Sequence, residues 1–218
     1  MTKIILAIII AALAAGACSR QAPVANKVEP AQPAPAPAAK PVEEKAPEFT
    51  NGAEPAKDIV SSSKKLNDST FWTATLTSSV SPGETVKMEY VAPDRYRLVK
   101  GGEEIVAVGR DSWVRENGKW QKAEDDFGGA LKAGQPKVTA EMAEMIKDTK
   151  LQRKEAVGSR QASVYRFEVD GTVTTVWIAD GTGLLLKLVT EREIDGEKIT
   201  QTAVYDYDSA PKIDPPKM

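Results

Sequence analysis

The sequence predicts a mainly β fold with some helix (α+β), in which a curved antiparallel sheet of about eleven strands forms a half-barrel. Short segments rich in β-branched and aromatic residues alternate with two-residue turn signals, as expected for hairpins. These signals are Gly101-Gly102, Asn117-Gly118, Asp170-Gly171 and Asp195-Gly196, each suited to a type I′ turn. Such a sheet is on the order of 50 Å wide, whereas two helices cover about 20 Å of it. The sheet is therefore expected to curl, with an N-terminal helix and a central helix closing its open side.

The first 17 residues have the pattern of a secretory signal peptide. Lys3 supplies a positive charge before an apolar run over residues 4–13, and small residues follow up to Ala17. The run is too short to span a bilayer as a helix, which needs about 20 residues. Cys18 comes next and is the one cysteine in the chain, so it forms no internal disulfide. We therefore expect an exported domain that depends on its own apolar core.

The segment Ala15–Cys18 resembles the lipobox of bacterial lipoproteins. This resemblance implies that the leader is cleaved before Cys18 and that the cysteine is acylated on its sulfur and on its new amino group. Two or more acyl chains anchor a protein stably, whereas one chain binds only marginally. Ser19 implies, by the same resemblance, an outer-membrane lipoprotein with its domain on the periplasmic face. An ordinary leader cut at the same bond remains the alternative.

Residues 18–53 are predicted to be a tether rich in proline and alanine. Eight of the chain's 14 prolines lie between Pro23 and Pro55, which is too many for a helix or a sheet interior. In a polyproline II conformation roughly 35 residues reach about 110 Å. The folded domain is expected over residues 54–210, followed by a C-terminal tail over residues 211–218.

Two helices are predicted within the domain. The first covers residues 54–68 and has Pro55 near its first turn, where a missing N–H costs little. The second runs from about residue 138 to 148, after a glycine-containing loop in which residues 128–134 are expected to be a flexible lid. The apolar face of this second helix is expected to pack on the core. Its members are Ala140, Met142, Ala143, Met145 and Ile146.

The inventory of chemical groups predicts a protein without catalytic activity, cofactor or metal. The chain has no histidine, which excludes Ser-His and Cys-His nucleophile pairs and histidine-based metal sites. The densest acidic clusters, Glu103-Glu104 and 124–126, lie at a hairpin turn and in a loop. Such clusters are more often solvated surface than acid-base pairs or calcium ligands. With 29 basic and 31 acidic residues and a net charge of -2, the composition also argues against nucleic-acid binding.

Three segments resemble the envelope lipoprotein-carrier (LolA/LolB/LppX-like) superfamily. They are residues 88–97 (MEYVAPDRYR), residues 105–109 (IVAVG), and Trp113-Val114 together with residues 118–122 (GKWQK). The resemblance covers residues 71–208 and implies an eleven-stranded half-barrel whose mouth is closed by helices, able in several members to hold acyl chains. A chain with its own membrane anchor resembles an acceptor, a stationary binder or a sensor more than a shuttling carrier.

If the half-barrel is hollow, side chains that alternate inward from the strands should line it, and the central helix should supply an adaptable lid. The candidate ligand-binding residues are Trp72, Leu76, Met88, Tyr90, Tyr96 and Leu98 from the strands, with Met142, Met145 and Ile146 from the helix.

Two functional hypotheses follow. The first is a lipid-anchored periplasmic protein that binds an acyl chain, another hydrophobic ligand or a lipoprotein in envelope lipid handling. The alternative is an envelope sensor or protein-interaction module whose barrel is filled and which binds a protein partner. A carrier should enclose an apolar cavity of several hundred Å³, whereas an interaction module should show an exposed apolar patch or edge strand. A carboxylate enzyme, the remaining class, should show two carboxylates converging in a cleft.

Overall fold

The computed structural model describes residues 49–217 of the chain. The expectations for the leader, for Cys18 and for most of the tether lie outside these residues. The helices are α1 (Pro55–Asp68), α2 (Phe127–Ala133) and α3 (Ala140–Met145). The first six strands are β1 (Phe71–Ser78), β2 (Thr85–Val91), β3 (Arg95–Lys100), β4 (Glu103–Val108), β5 (Asp111–Glu116) and β6 (Lys119–Lys122). The remaining strands are β7 (Leu151–Val157), β8 (Arg160–Val169), β9 (Thr172–Ala179), β10 (Leu185–Ile194) and β11 (Glu197–Asp206).

All these strands belong to one antiparallel sheet of 11 strands, in the order β6-β5-β4-β3-β2-β1-β11-β10-β9-β8-β7. The first and last strands pair at the centre, and each half extends outward as a meander of hairpins. Strands β6 and β7 form the two edges and do not pair with each other, so the sheet stays open. The predicted fold, a half-barrel of about eleven strands with helices, is confirmed.

The hairpin turns follow the sequence signals closely. In the Asn117-Gly118, Asp170-Gly171 and Asp195-Gly196 turns both residues have positive φ, as type I′ geometry requires. At Gly101-Gly102 only Gly101, with φ of 58°, has a positive value. Positive φ at the first position alone is the pattern of a type II′ turn, so the prediction of a type I′ turn was wrong there.

The segment between β6 and β7 connects opposite edges of the sheet and contains α2 and α3. The prediction of a glycine loop was wrong, because residues 127–133 form α2, whose Gly129 N–H is capped by Asp126 Oδ1 at 2.7 Å. Gly128 permits close packing, since a Cβ there would lie 2.9 Å from the Gly109 carbonyl oxygen. Helix α3 is shorter than predicted, and Ile146 is buried just after it ends.

One face of the sheet carries the core. Cross-strand register places Trp72 opposite Tyr90, and Tyr90 opposite Tyr96, on the face that the helices cover. Their rings pack at centroid distances of 5.4 Å and 5.1 Å, and Tyr205 of β11 adds an edge contact to Trp72 at 5.7 Å. This row of aromatic rings packs over the central strands β11, β1, β2 and β3.

The opposite face, called the outer face below, carries charged groups over β2–β5. Glu104 pairs with Arg97 at 2.6 Å and with Arg115 at 3.3 Å, and Arg97 also contacts Glu89 at 3.4 Å. Glu89 and Glu104 are largely buried within this network. A small second apolar cluster around Val164 and Trp177 lies on strands β8–β10. Of the acidic pair at 103–104, Glu104 therefore has a structural role, because it is held by the guanidinium groups of Arg97 and Arg115.

Candidate ligand site between the helices and the sheet

Helix α1 is fixed to the sheet by a buried carboxylate. Asp58 is fully buried and accepts hydrogen bonds from the backbone N–H groups of Thr50 and Gly52, and from the hydroxyls of Thr50 and Tyr165. The Tyr165 hydroxyl lies 2.7 Å from Asp58 Oδ2. Burial, and then the hydrogen bond to Asp58, raise the pKa of Tyr165, so this hydroxyl stays a donor. The contact joins the chain entering the domain, the start of α1 and strand β8.

A short segment over residues 135–138, called the strap, crosses from the sheet to α1. The Ser63 hydroxyl donates to the Pro136 carbonyl at 3.3 Å and accepts from the Val138 N–H at 3.0 Å. Asn67 Nδ2 donates to the same Pro136 carbonyl at 2.9 Å. At its other end Gln135 Nε2 donates to the Tyr96 hydroxyl at 3.3 Å. Hydrogen bonds to side chains of α1 and β3 therefore hold the strap in position.

An apolar cavity of about 120 Å³ lies between α1, the strap, α3 and strands β8–β10. Its floor is formed by side chains that point inward from the sheet, and α1 contributes Ile59. The apolar side chains lining it are Ile59, Val138, Met142, Phe167, Val176, Ile178, Leu185 and Leu188. Cavities of about 150 Å³ with such linings take up benzene-sized groups. The cavity is thus slightly smaller than one that holds a benzene-sized group.

One polar group in this wall has no partner. Ser62 is 2% exposed and lines the cavity, and its hydroxyl has no hydrogen-bond partner among residues 49–217. A buried hydroxyl without a partner costs free energy that a hydrogen bond would recover. A water molecule or a polar atom of a ligand would satisfy it.

A wider cleft of about 650 Å³ lies on the other side of the strap. The strap residues Lys137 and Val138, together with Ser63, line both spaces. The cleft is more polar, with Lys132, Asn67 and the Tyr90 ring in its wall. The apolar cavity and this cleft are therefore neighbours divided by the strap.

The residues predicted to bind a ligand fall into three groups. Trp72, Met88, Tyr90, Tyr96, Leu98 and Ile146 are buried core residues, and Leu76 packs against them. Met142 lines the apolar cavity, and Tyr90 lines the cleft. Met145 is 48% exposed, so α3 presents only part of its predicted apolar face to the core. A ligand-binding role for these nine residues stays a prediction.

Sequence reasoning missed the residues that surround most of the cavity. Val176 and Ile178 alternate inward on β9, and Leu185 and Leu188 of β10 lie opposite them. The alternation in the sequence was sufficient to mark them as inward-facing. The position of the cavity depends on how α1 rests on β9 and β10, and no local sequence signal specifies that contact.

Other chemistry is sparse in the described part of the chain. Residues 49–217 contain no group of three or more acidic, cysteine or histidine side chains close enough to hold a metal ion. Within the same residues no helix is both long and apolar enough to cross a membrane. Burial raises the pKa of Tyr96, which keeps its hydroxyl neutral beside Gln135.

The fold and the site define a class of mainly β proteins: an open antiparallel sheet with helices and a small apolar cavity over one face. No family model and no curated protein matches the sequence. Remote similarity exists to the crystal structure of MucB, with a TM-score of 0.45 and 16% identity over 74% of this chain and 62% of that one. The MucA/MucB complex of Pseudomonas aeruginosa gives a TM-score of 0.41 and 18% identity over 72% of this chain and 59% of its own. The chain thus spans about three-fifths of the length of these MucB chains.

Proposed function

We propose that the protein is a non-catalytic binding module of the bacterial envelope, which holds the apolar end of a hydrophobic ligand beneath α1 and the strap. The cavity between α1, α3 and β8–β10 is the observation that carries this proposal. Its lining is mostly aliphatic and aromatic, with Lys137 of the strap as its charged member, and it favours a group without charge because an unpaired charge would be costly to bury there.

The size of the cavity limits what it encloses. Pockets that enclose an entire small ligand measure about 300–1,000 Å³, and this cavity measures about 120 Å³. The terminal part of an acyl chain fits, and the remainder would have to leave past the strap. The lipobox-like segment before Cys18 supports a location on the periplasmic side of a membrane, where acyl chains and lipoproteins are available ligands.

The second candidate is a protein-interaction module, and the open sheet supports it. Strand β7 is an edge strand of seven residues, Leu151–Val157, and no other strand of the described part of the chain pairs with its outer side. Such an edge can pair with an extended segment of a partner protein. The contacts within the aromatic row over the central strands also support this candidate, because they leave less space for a ligand there.

Native mass spectrometry of the chain, purified from a periplasm without detergent and then extracted with organic solvent, tests the proposal. We expect an added mass that extracts as lipid. Leu188→Phe, which places a larger side chain in the cavity wall, should reduce the lipid-bound fraction about tenfold. The matched control is Leu151→Phe, a half-buried leucine that packs on the same core, does not line the cavity and is not a candidate ligand-binding residue. An equal lipid-bound fraction in both variants would reject the lipid site and favour the interaction module. A parent chain whose mass shows no bound lipid after incubation with phospholipid would do the same.

A further inference from the structure

The C-terminal tail folds back onto the outer face of the sheet. Ile213 is only 3% exposed, although it lies seven residues beyond the end of β11. Arg95 Nη1 donates to the Ile213 carbonyl at 2.9 Å and contacts Asp214 Oδ1 at 3.5 Å. Ile213 belongs to neither of the two apolar clusters, so the tail has its own contact site.

That site is a groove over β3–β6, called the outer groove. It is lined by Val106 and Trp120, by the paired charges of Arg97 and Glu104, and by the tail itself. About 290 Å³ of space remains in the groove beside the tail. Val106 is 4% exposed, which identifies the groove as a built apolar contact within a charged surface. The tail is therefore a peptide without regular secondary structure that places one apolar anchor in a groove that it does not fill.

The sequence contains a second segment with the same chemistry. Lys212-Ile213-Asp214-Pro215 in the tail and Lys27-Val28-Glu29-Pro30 in the tether share one order: cation, β-branched apolar residue, carboxylate, proline. A proline biases the preceding residue toward extended backbone, so both segments favour the same local conformation. Valine is one methylene smaller than isoleucine and fits wherever isoleucine does, and a glutamate can replace an aspartate beside Arg95.

We propose that the outer groove is a peptide site with two competing occupants, the tail and the tether segment Lys27–Pro30 of the same chain. Pro30 is roughly 20 residues from Phe49, the first described residue, and that length reaches up to about 65 Å. A domain of about 170 residues has a radius of gyration near 15 Å, so the segment can reach the groove from any point on the surface.

The exchange would change the distance between the domain and Cys18. With the tail in the groove, about 30 residues separate Cys18 from the domain, a span of up to about 100 Å. With Lys27–Pro30 in the groove, only about 10 residues remain, or up to about 35 Å. Occupancy of the outer groove would therefore set how far the domain extends from its anchoring point. This inference is independent of the ligand in the apolar cavity.

Photo-crosslinking in the full chain tests the exchange. Trp120 is replaced by p-benzoylphenylalanine, and mass spectrometry identifies the peptides that it captures. In the parent chain the tail peptide should dominate. Ile213→Asp removes the apolar anchor of the tail, and we expect capture of the tether segment to rise about tenfold. Adding Val28→Asp should abolish that rise. Val42→Asp is the matched control, because Val42 precedes an acid but no proline follows that acid.

A second measurement covers the case in which Ile213→Asp unfolds the domain. A synthetic peptide with the sequence of residues 25–32, added to the parent chain, should displace the tail from the crosslinks, and its Val28→Asp form should not. No rise in tether capture in a folded Ile213→Asp chain, or equal capture with Val28→Asp, would overturn the proposal. In a mixture of isotope-labelled and unlabelled chains, crosslinks found mainly between chains would overturn its intramolecular form.

Discussion

At the scale of single residues, Asp58 does more than any other described side chain to join the parts of the domain. Its two oxygens accept from Thr50, Gly52 and Tyr165, and these residues belong to the entering chain and to β8. A carboxylate is suited to this position because it is an acceptor only and all its neighbours are donors. The entering chain is therefore bonded to the domain from Thr50 onward, within the range that the sequence assigns to the tether.

Asp58→Asn should lower the free energy of unfolding by about 2–4 kcal/mol. The substitution replaces one accepting oxygen by an NH₂ group, which would then point at N–H or O–H donors and could not bond to them. Urea unfolding followed by tryptophan fluorescence measures the change in the free energy of unfolding. Asp68→Asn at the exposed end of the same helix is the control, and its effect should stay within about 0.5 kcal/mol. An equal loss in both variants would show that Asp58 has no special role.

At the scale of secondary-structure elements, the strap is the boundary between the apolar cavity and the cleft. Its hydrogen bonds to α1 come from two side chains, Ser63 and Asn67, and both meet the Pro136 carbonyl. A proline within the strap leaves one backbone N–H fewer to hold it in place. The apolar cavity and the cleft would join if the strap left α1, because Ser63, Lys137 and Val138 line both.

The double variant Ser63→Ala with Asn67→Ala should release the strap. The Val138 N–H now donates to the Ser63 hydroxyl, so its hydrogen exchange should accelerate by about tenfold to a hundredfold, as expected for the loss of hydrogen bonds worth about 1 kcal/mol each. The control is Ser61→Ala on the same helix, since the buried Ser61 hydroxyl has no hydrogen-bond partner within the described residues 49–217 and its removal should be neutral or stabilising. Unchanged exchange at Val138 in the double variant would mean that other contacts hold the strap.

The elements also show what the sequence could predict and what it could not. Turns such as Asn117-Gly118 specify their hairpins locally, so strand number and pairing within each half followed from the sequence. Helix α2 was missed because glycines lower helix propensity, yet Gly128 is needed for its close approach to Gly109. The cavity was missed for a different reason. Its walls come from α1, α3 and three strands, and their relative placement depends on packing contacts between distant residues.

At the scale of the whole molecule, the central pairing of β1 with β11 determines where the two ends of the domain lie. Thr73 is opposite Asp206 in this pairing, although more than a hundred residues separate them in the sequence. No turn signal can predict such a contact, because it closes the longest loop in the domain. The tail leaves from the end of β11 and reaches the outer face, while the entering chain is held at Asp58 over β8.

Membrane attachment of the whole chain is predicted to depend on Cys18. Electrostatic binding to anionic lipids requires a cluster of basic residues, each of which contributes about 1 kcal/mol. With a net charge of -2, the chain has little such attraction. Two or more acyl chains on Cys18 would instead anchor it stably. Cys18→Ala should therefore lose the acyl mass in intact-mass spectra and move the protein from the membrane fraction to the soluble periplasmic fraction. Ser19→Ala is the control and should keep both the mass and the attachment. If Cys18→Ala stays in the membrane fraction after its leader is removed, membrane attachment does not depend on acylation of Cys18. If the parent chain carries no acyl mass, the lipoprotein prediction is wrong and the ordinary secreted alternative is favoured.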